Sequence, residues 1–435
     1  MFLSQKGAKH VAMYPNNPDY KFSVVNHSIS ERIFMNAFWG YITDHFIPAW
    51  IVPNVLTLSG WAIMLIGWML AVYGYYPNHL REYGMNMGET SSIESNVLRM
   101  VINFIQSDKL FLITGIIFFF YQTVDGCDGK QARKTKQCSP LGEILDHGVD
   151  ANSMTIVMVN LLLLINMTPM TTYYTEGVEH TPLYYFITIY VFPVFLCWAF
   201  FVAHLNHYHT NIFIMDLLSA TDIENFSIVL NLLRWYVGKT LFTTPLTFLP
   251  KIPESILTFL ELPETHVFTI GDGLVLIFLI GAASSVIQLT IRSLIKSNRN
   301  QSPLIQSIPM VSFIILMTTY AYKHSHEEWM VRHYMTFMTL NMFGFSIVLF
   351  SLIVSRASID RMHFEGLTFG ILLPLVVLHL RDHFFAHMVN AVNLLIGVTI
   401  YVAAFYLHMG SSIIGSFCGA LHINFLRRSV SKDKL

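Results

Sequence analysis

The sequence predicts an all-α, polytopic integral membrane protein of about ten transmembrane helices. Three observations carry that reading. Of the 435 residues, 54% are hydrophobic. Only 12% are charged, where a soluble domain carries about 25%. Ten stretches approach the roughly 17–25 apolar residues that cross a bilayer. So few charges cannot coat a large soluble protein, which excludes a cytosolic globular enzyme, a disordered chain and a nucleic-acid binder. The balance of 26 Lys+Arg against 27 Asp+Glu points to no polyanionic partner. Four cysteines are too few and too scattered for a disulfide scaffold.

Residues 1–53 read as a polar, then interfacial tail without a signal peptide, so the first spanning helix serves as the insertion signal. Ser28-x-x-Glu31 has the form of a capping box. Phe34, Phe38, Ile42 and Phe46 follow at four-residue spacing, on one helical face. Residues 30–48 are therefore expected to form an amphipathic helix, lying in the membrane interface or packed on the protein itself. The spans are expected near 54–75, 109–124, 151–166, 183–204, 224–245, 268–292, 303–322, 333–355, 366–380 and 388–408. The second and third are short. The fifth is the weakest, because Arg234 and Lys239 interrupt it and Pro245 and Pro250 follow. Residues 54–245 are expected to hold the first five spans and 246–425 further spans, with a cytosolic tail over 426–435.

Basic residues collect on cytosolic loops. With ten spans, one side gathers Lys6, Lys9, Lys21 and Arg32, then Lys130, Arg133, Lys134 and Lys136. It also gathers Arg292, Lys296 and Arg299, then Arg356 and Arg361, and the tail Arg427, Arg428, Lys432 and Lys434. That is 17 of the 26. Both termini and the 125–150 segment are expected to be cytosolic. The 205–223 loop on the same side has no Lys or Arg.

The chemistry concentrates in Asp125-Gly-Cys-Asp128-Gly129-Lys-Gln-Ala132-Arg133, followed by Gly142, Asp146 and Asp150. Spacings of three and four put each acidic pair on one helix face. Four carboxylates thus face one another at the cytosolic edge of the bilayer, where ionisable groups need partners. One nearby arginine cannot neutralise them, and a divalent cation can. All-oxygen ligation suits Mg²⁺ or Mn²⁺ rather than zinc. Four carboxylates can bridge two such ions, an arrangement that clamps both oxygens of an in-line phosphoryl displacement. Gly129 and Gly142 remove side chains where a phosphate must come close. Arg133 offers a fork for phosphate oxygens. The plainer alternative, ordinary helix-end acids, suits one pair better than the whole pattern.

Asp125-x2-Asp128-Gly129-x2-Ala132-Arg133-x8-Gly142-x3-Asp146-x3-Asp150 resembles, without departure, the signature of the CDP-alcohol phosphatidyltransferase family. Gly129-Lys-Gln-Ala-Arg133, Ser139-Pro-Leu-Gly-Glu143 and Asp146-His-Gly148 look like the eukaryotic choline and ethanolamine phosphotransferases. So does Trp50-Ile-Val-Pro53-Asn54-Val-Leu-Thr57 at the start of the first span. The likeness covers most of the first 150 residues. Beyond about residue 210 only the hydropathy pattern is compatible.

The resemblance implies transfer of a phospho-amino-alcohol unit from a CDP-linked amino alcohol to the hydroxyl of diacylglycerol, releasing CMP. It implies Asp125, Asp128, Asp146 and Asp150 as ligands of Mg²⁺ or Mn²⁺. It implies Asn54, Gly129, Ala132, Arg133 and Gly142 at the CDP-alcohol, a homodimer, and an endoplasmic reticulum or Golgi membrane. Asn54 has a bland alternative as the cap of the first span. For the base, His147 stands beside Asp146 and about 100° round the helix. A histidine's ordinary pKa of about 6.5 suits the task. Asp150 is the second candidate base, and an interfacial hydrogen-bonding role for His147 is the alternative. Gly126-Cys127, Tyr20-Lys-Phe and Phe38-Trp39 look slightly closer to the ethanolamine enzymes. Choline would call for an aromatic cage, to which Tyr121 and Trp198 can contribute.

Other signals are weaker. His379, His383 and His387 share a helix face, and His204, His207 and His209 cluster near the fourth span. Interfacial histidines explain both sets as well as a metal does. Cys127 and Cys138 face a reducing cytosol and are not expected to pair. Asn26, Asn166, Asn225 and Asn300 head sequons, and only Asn166 falls at the far edge. Lys432-Asp-Lys434-Leu on a cytosolic tail is not a lumenal retention signal. Two other functions compete. A cation transporter would place its acids near the midplane on broken helices. A family synthase would use inositol, serine or glycerophosphate.

Overall fold

A computed structural model describes residues 3–13, 23–77, 108–169, 181–215, 219–248, 252–297, 299, 301–360 and 362–426. Tyr20-Lys-Phe, Arg361, Asn300 and the basic tail with its terminal Lys432-Asp-Lys-Leu lie outside the described residues. The protein is an all-α polytopic membrane protein. Helix α1 is Gln5–Ala12. Helix α2 opens with a wide turn over Glu31–Met35 and continues as Asn36–His45. The long helices follow as α3 (Pro53–Tyr75), α4 (Leu110–Thr135), α5 (Pro140–Leu164), α6 (Leu183–Thr210), α7 (Ala220–Val237), α8 (Ile270–Ile295), α9 (Pro303–His324), α10 (Tyr334–Ala357), α11 (Glu365–Phe385) and α12 (Ala391–Leu421). Strands β1 (Ser23–Asn26) and β2 (Ile212–Met215) form a parallel pair.

Among the described residues, nine helices are long and apolar enough to cross a membrane. The expected fifth span is the exception. It lies at α7, which starts and ends earlier than expected and carries Asp222, Glu224 and Arg234. At about 1.5 Å per residue its 18 residues still run from one end of the bundle to the other. At the end holding the acidic motif, Asp222 bonds Ser28 and Ser30. At the opposite end Arg234 donates to Leu164 O at 3.1 Å and to Asp108 at 3.0 Å. The arginine that interrupts the apolar run is buried and paired, and Lys239 lies beyond the helix end.

Side-chain bonds sort the other helix ends in the same way. At the motif end, Asn54 of α3 donates to Phe425 O after α12 at 3.0 Å. Arg356 of α10 pairs with Glu143 of α5. His209 of α6 joins Ser297 after α8 and Gln306 of α9 at 2.8 and 2.6 Å. At the opposite end, Tyr184 of α6 bonds Asp272 of α8. There His324 of α9 also meets Asp382 of α11 at 2.8 Å.

Helices α5 and α10 form the centre, with 89% and 83% of their most apolar 18 residues buried, against 28% for α8. Apolar side chains fill that centre without any water to drive the association of helices in lipid, so interhelical hydrogen bonds add specificity. Asn152 of α5 donates to Ser346 of α10 and Tyr406 of α12 at 3.0 and 2.9 Å. Asn231 of α7 donates to Asn160 of α5 at 2.8 Å. Gly148 lets α5 approach α10: a Cβ there would lie 2.3 Å from the Phe350 ring.

Candidate active site

The motif folds as two helices joined by a tight turn. Helix α4 ends where Lys136 adopts φ 58°, and Gln137 N–H returns to Ala132 O at 2.8 Å, satisfying a terminal carbonyl. Helix α5 starts four residues after Lys136, at Pro140. Ser139 caps it, accepting from Gly142 N–H at 3.1 Å, and Pro140 fills the first helical position. The eight residues between Arg133 and Gly142 are thus the end of one helix, a turn, and the start of the next. This brings Asp125 and Asp128 of α4 against Asp146 of α5.

One oxygen from each of Asp125, Asp128 and Asp146 lies within 4.8 Å of the others. Ion pairs among the described residues do not engage these three carboxylates. Asp128 is buried and accepts from the Thr57 hydroxyl of α3. Three converging hard oxygen donors fit a divalent cation of the Mg²⁺ or Mn²⁺ kind. Asp150 stands outside this trio. It accepts from Tyr121 Oη at 2.7 Å, and His147 Nδ1 lies 3.7 Å from its other oxygen. The four expected ligands therefore resolve into three plus one.

His147 is held between rings. His204 meets it edge to face at 4.8 Å and Phe213 lies 5.2 Å away. His204 thus belongs to the aromatic surroundings of His147. His209 bonds neutral side chains. His379 bonds Thr319 at 3.1 Å and Leu375 O at 2.9 Å.

A cavity of about 290 Å³ opens over the carboxylates. Asp125, Asp128, Gly129, Asp146, His147 and Asp150 line its polar end. Met154, Met158, Leu196, Phe200, Phe278, Ala282 and Leu289 line its apolar end, between α5, α6 and α8. Asn54, Ala132, Arg133 and Gly142 do not line it. Asn54 is not the cap of α3, which is Val52; it sits at the second helical position, near the α5 start, where a Cβ on Gly142 would lie 3.8 Å from its Oδ1. Arg133 is exposed, one turn along from Gly129, whose absent Cβ would lie 3.6 Å from the guanidinium. Tyr121 and Trp198 form no cage: Tyr121 bonds Asp150, and Trp198 packs edge to face on Phe195 at 5.8 Å.

Three cavity residues are not expected at the site from the sequence. Glu224 of α7 is a fifth, buried carboxylate, accepting from Gln122 Nε2 at 2.9 Å. Its one signal is an acid in the first turns of an otherwise apolar segment. Glu31 and Trp39 of α2 are the others. Trp39 lies flat on Gly126, where a Cβ would sit 2.2 Å from the indole. The buried face of α2 is therefore Met35, Trp39 and Thr43. The Phe34 and Phe46 side chains point outward, 62% and 66% exposed. The expected capping box is half formed. Glu31 N–H donates to Ser28 Oγ at 3.3 Å, but the Glu31 carboxylate accepts from Asn26 at 2.7 Å. Lys134 donates to Thr43 O and Ile47 O at 2.6 and 3.1 Å, and Gln131 to Pro48 O and Ile51 O at 3.0 and 2.8 Å. These motif residues hold α2 in place. Cys127 and Cys138 are free thiols.

Residues 50–213 match the family described as CDP-alcohol phosphatidyltransferase. The chain is 25% identical over 407 residues to uncharacterized CDP-alcohol phosphatidyltransferase class-I family protein 1 of Dictyostelium discoideum, covering 93% of this chain and 91% of that one. It is 29% identical over 193 residues to ethanolaminephosphotransferase 1 of Homo sapiens, covering 44% and 41%. It is 32% identical over 141 residues to choline/ethanolaminephosphotransferase 1 of Saccharomyces cerevisiae, covering 32% and 30%. The chain thus spans less than half the length of the human and yeast relatives.

Proposed function

We propose, with residues 50–213 as a CDP-alcohol phosphatidyltransferase domain for premise, that the chain moves a phospho-amino-alcohol unit from CDP-ethanolamine or CDP-choline to diacylglycerol. One observation carries the reading: three carboxylates converge at the polar end of a cavity whose other end is apolar. A phosphorylated nucleotide fits the first end and acyl chains fit the second. The acceptor hydroxyl then arrives from the membrane side.

Asp125, Asp128 and Asp146 hold the divalent ions, with Asp150 bordering them. Such ions supply charge neutralisation to the diphosphate and to the departing CMP. The diacylglycerol oxygen attacks the phosphorus that carries the amino alcohol. The phosphoanhydride bond breaks and CMP leaves with the electron pair. His147 takes the hydroxyl proton, with Asp150 and the flanking rings setting the orientation of its imidazole. Asp150 is the alternative base. Arg133, with Asn54, Gly129, Ala132 and Gly142, belongs to the CDP-alcohol side by family likeness. The likeness also supports a homodimer in an endoplasmic reticulum or Golgi membrane, with the site and both termini cytosolic. Residues 54–245 then form the catalytic unit and 246–425 its flanking spans. Helix α2 lies in the interface with its outward aromatic face.

The test is a substrate matrix with purified protein in lipid nanodiscs. CDP-ethanolamine, CDP-choline and CDP-diacylglycerol are offered against diacylglycerol, alkylacylglycerol and inositol. We expect CMP release only with a CDP-amino alcohol and a glycerolipid acceptor, and ethanolamine as the better head group. Turnover of CDP-diacylglycerol with inositol instead would overturn the assignment.

A further inference from the structure

Residues 23–45 lie outside the family-matched segment, yet Val24, Glu31 and Trp39 line the cavity beside the carboxylates. The attachment of this wall is uneven. Its later part is anchored by Trp39 on Gly126 and by Lys134, which donates to Thr43 O. Its earlier part is one strand of a two-stranded ladder, with Val24 and Val25 41% and 38% exposed. The partner strand β2 packs Phe213 and Ile214 into the core, but β1 buries little side-chain surface of its own and depends on its hydrogen bonds.

Between these parts, one carboxylate does the holding. Asp222 Oδ1 accepts from Ser28 Oγ at 3.0 Å, Ser30 N–H at 2.9 Å and Ser30 Oγ at 2.6 Å. Its Oδ2 accepts from Ser219 Oγ at 2.8 Å and from Ser219 N–H at 3.3 Å, the latter being its half of the capping box that opens α7. Asn225 adds a bond to Ser30 Oγ at 3.0 Å. Hydrogen bonds to a charged acceptor are the stronger kind. Glu31 directly follows Ser30, so these bonds, with its own to Asn26 and Ser28, set its place in the wall.

We propose that Asp222 is a positioning residue for the transfer reaction: it fixes residues 23–31 as a wall of the CDP-alcohol site. The inference rests on the CDP-alcohol reading above. Asp222 touches no reacting atom. It acts through Val24 and Glu31, and its loss therefore weakens donor binding more than the chemical step.

The experiment measures KM and kcat for CDP-ethanolamine with diacylglycerol, in nanodiscs, with Cys138→Ser as parent. Asp222→Ala is expected to raise KM about tenfold, with kcat changing less. Ser28→Ala/Ser30→Ala removes both hydroxyl donors on the wall, leaves Ser30 N–H and the α7 cap in place, and is expected to raise KM in the same direction. Val25→Cys/Ile214→Cys is then added to Asp222→Ala. These positions are ladder partners, and adjacent strands lie within disulfide reach. Oxidation is expected to return KM to within about threefold of the parent, and reductant to raise it again. An unchanged KM in both Asp222→Ala and the double serine variant overturns the proposal. So does a defect that persists once mass spectrometry shows the disulfide formed. A parent that turns over no CDP-amino alcohol removes the functional reading, and this inference with it. An active parent with an indifferent Asp222→Ala removes the inference alone.

Discussion

Tyr121 of α4 donates its phenolic hydroxyl to Asp150 of α5 at 2.7 Å, and this bond separates the last acid of the motif from the other three. Asp150 has one oxygen on Tyr121 and the other 3.7 Å from His147. Tyr121→Phe frees the first oxygen while keeping the ring. We expect a fall in kcat of about tenfold, as one charged-acceptor hydrogen bond is lost, with KM for the CDP-alcohol little changed. Unchanged kcat would show that Asp150 needs no such restraint.

Metal dependence follows from the trio of carboxylates. Asp128→Asn removes a charge at the most buried of the three carboxylates. Turnover is expected to drop at least about 10²-fold, the scale of losing electrostatic stabilisation at a reacting phosphate. A chelator should abolish wild-type turnover, and added Mg²⁺ or Mn²⁺ should restore it. Full activity of Asp128→Asn in excess chelator contradicts the assignment.

Removal of the proposed base is a separate matter. His147→Ala should bind CDP-ethanolamine nearly as the wild type does, by equilibrium binding, while turnover falls about 10²–10⁴-fold. Near-normal turnover excludes the base role. Lost nucleotide binding would make His147 a substrate ligand instead.

The pair at the opposite end makes an ordering prediction. Arg234 is buried at 2% exposure, while Asp108 is 44% exposed. Asp108→Asn leaves a buried cation short of its anion and should cost about 3 kcal/mol. Arg234→Met leaves an anion that water can reach and should cost about 1 kcal/mol. Thermal unfolding in detergent should therefore show the larger Tm decrease for Asp108→Asn.

Orientation is tested by proteolysis. With α7 counted, ten helices among the described residues run between the two ends, and the first and last described residues, Leu3 and Leu426, share the motif end. A tag after Leu435 should be cleaved in sealed microsomes without detergent. Its protection would overturn either the even number of crossings or the cytosolic placement.

Much of this arrangement is legible in the chain itself. Apolar length marks nine of the ten long helices, because lipid demands it. The Asp125–Asp150 spacing marks a helix, a turn and a helix, because three- and four-residue steps and a Ser-Pro start are local signals. What stays hidden is long-range. Arg234 reads as a flaw in a span, since its partner Asp108 is 126 residues away. Asp222 and Ser28 are 194 residues apart. Glu224 carries no motif. That Asp150 stands apart from the other three carboxylates goes with Tyr121, whose hydroxyl binds it instead of joining an aromatic cage.

The fit of Trp39 onto Gly126 limits how the signature can be transplanted. A chimera that carries residues 125–150 of this chain into a relative with a small residue opposite Gly126 would receive a gap beside the acids. The reverse graft, with a methyl at that position, would drive the indole off the helix. Portability of the signature thus requires moving two stretches together, the acidic hairpin and the amphipathic helix far upstream of it. Sequence logos built on the hairpin alone omit half of that unit.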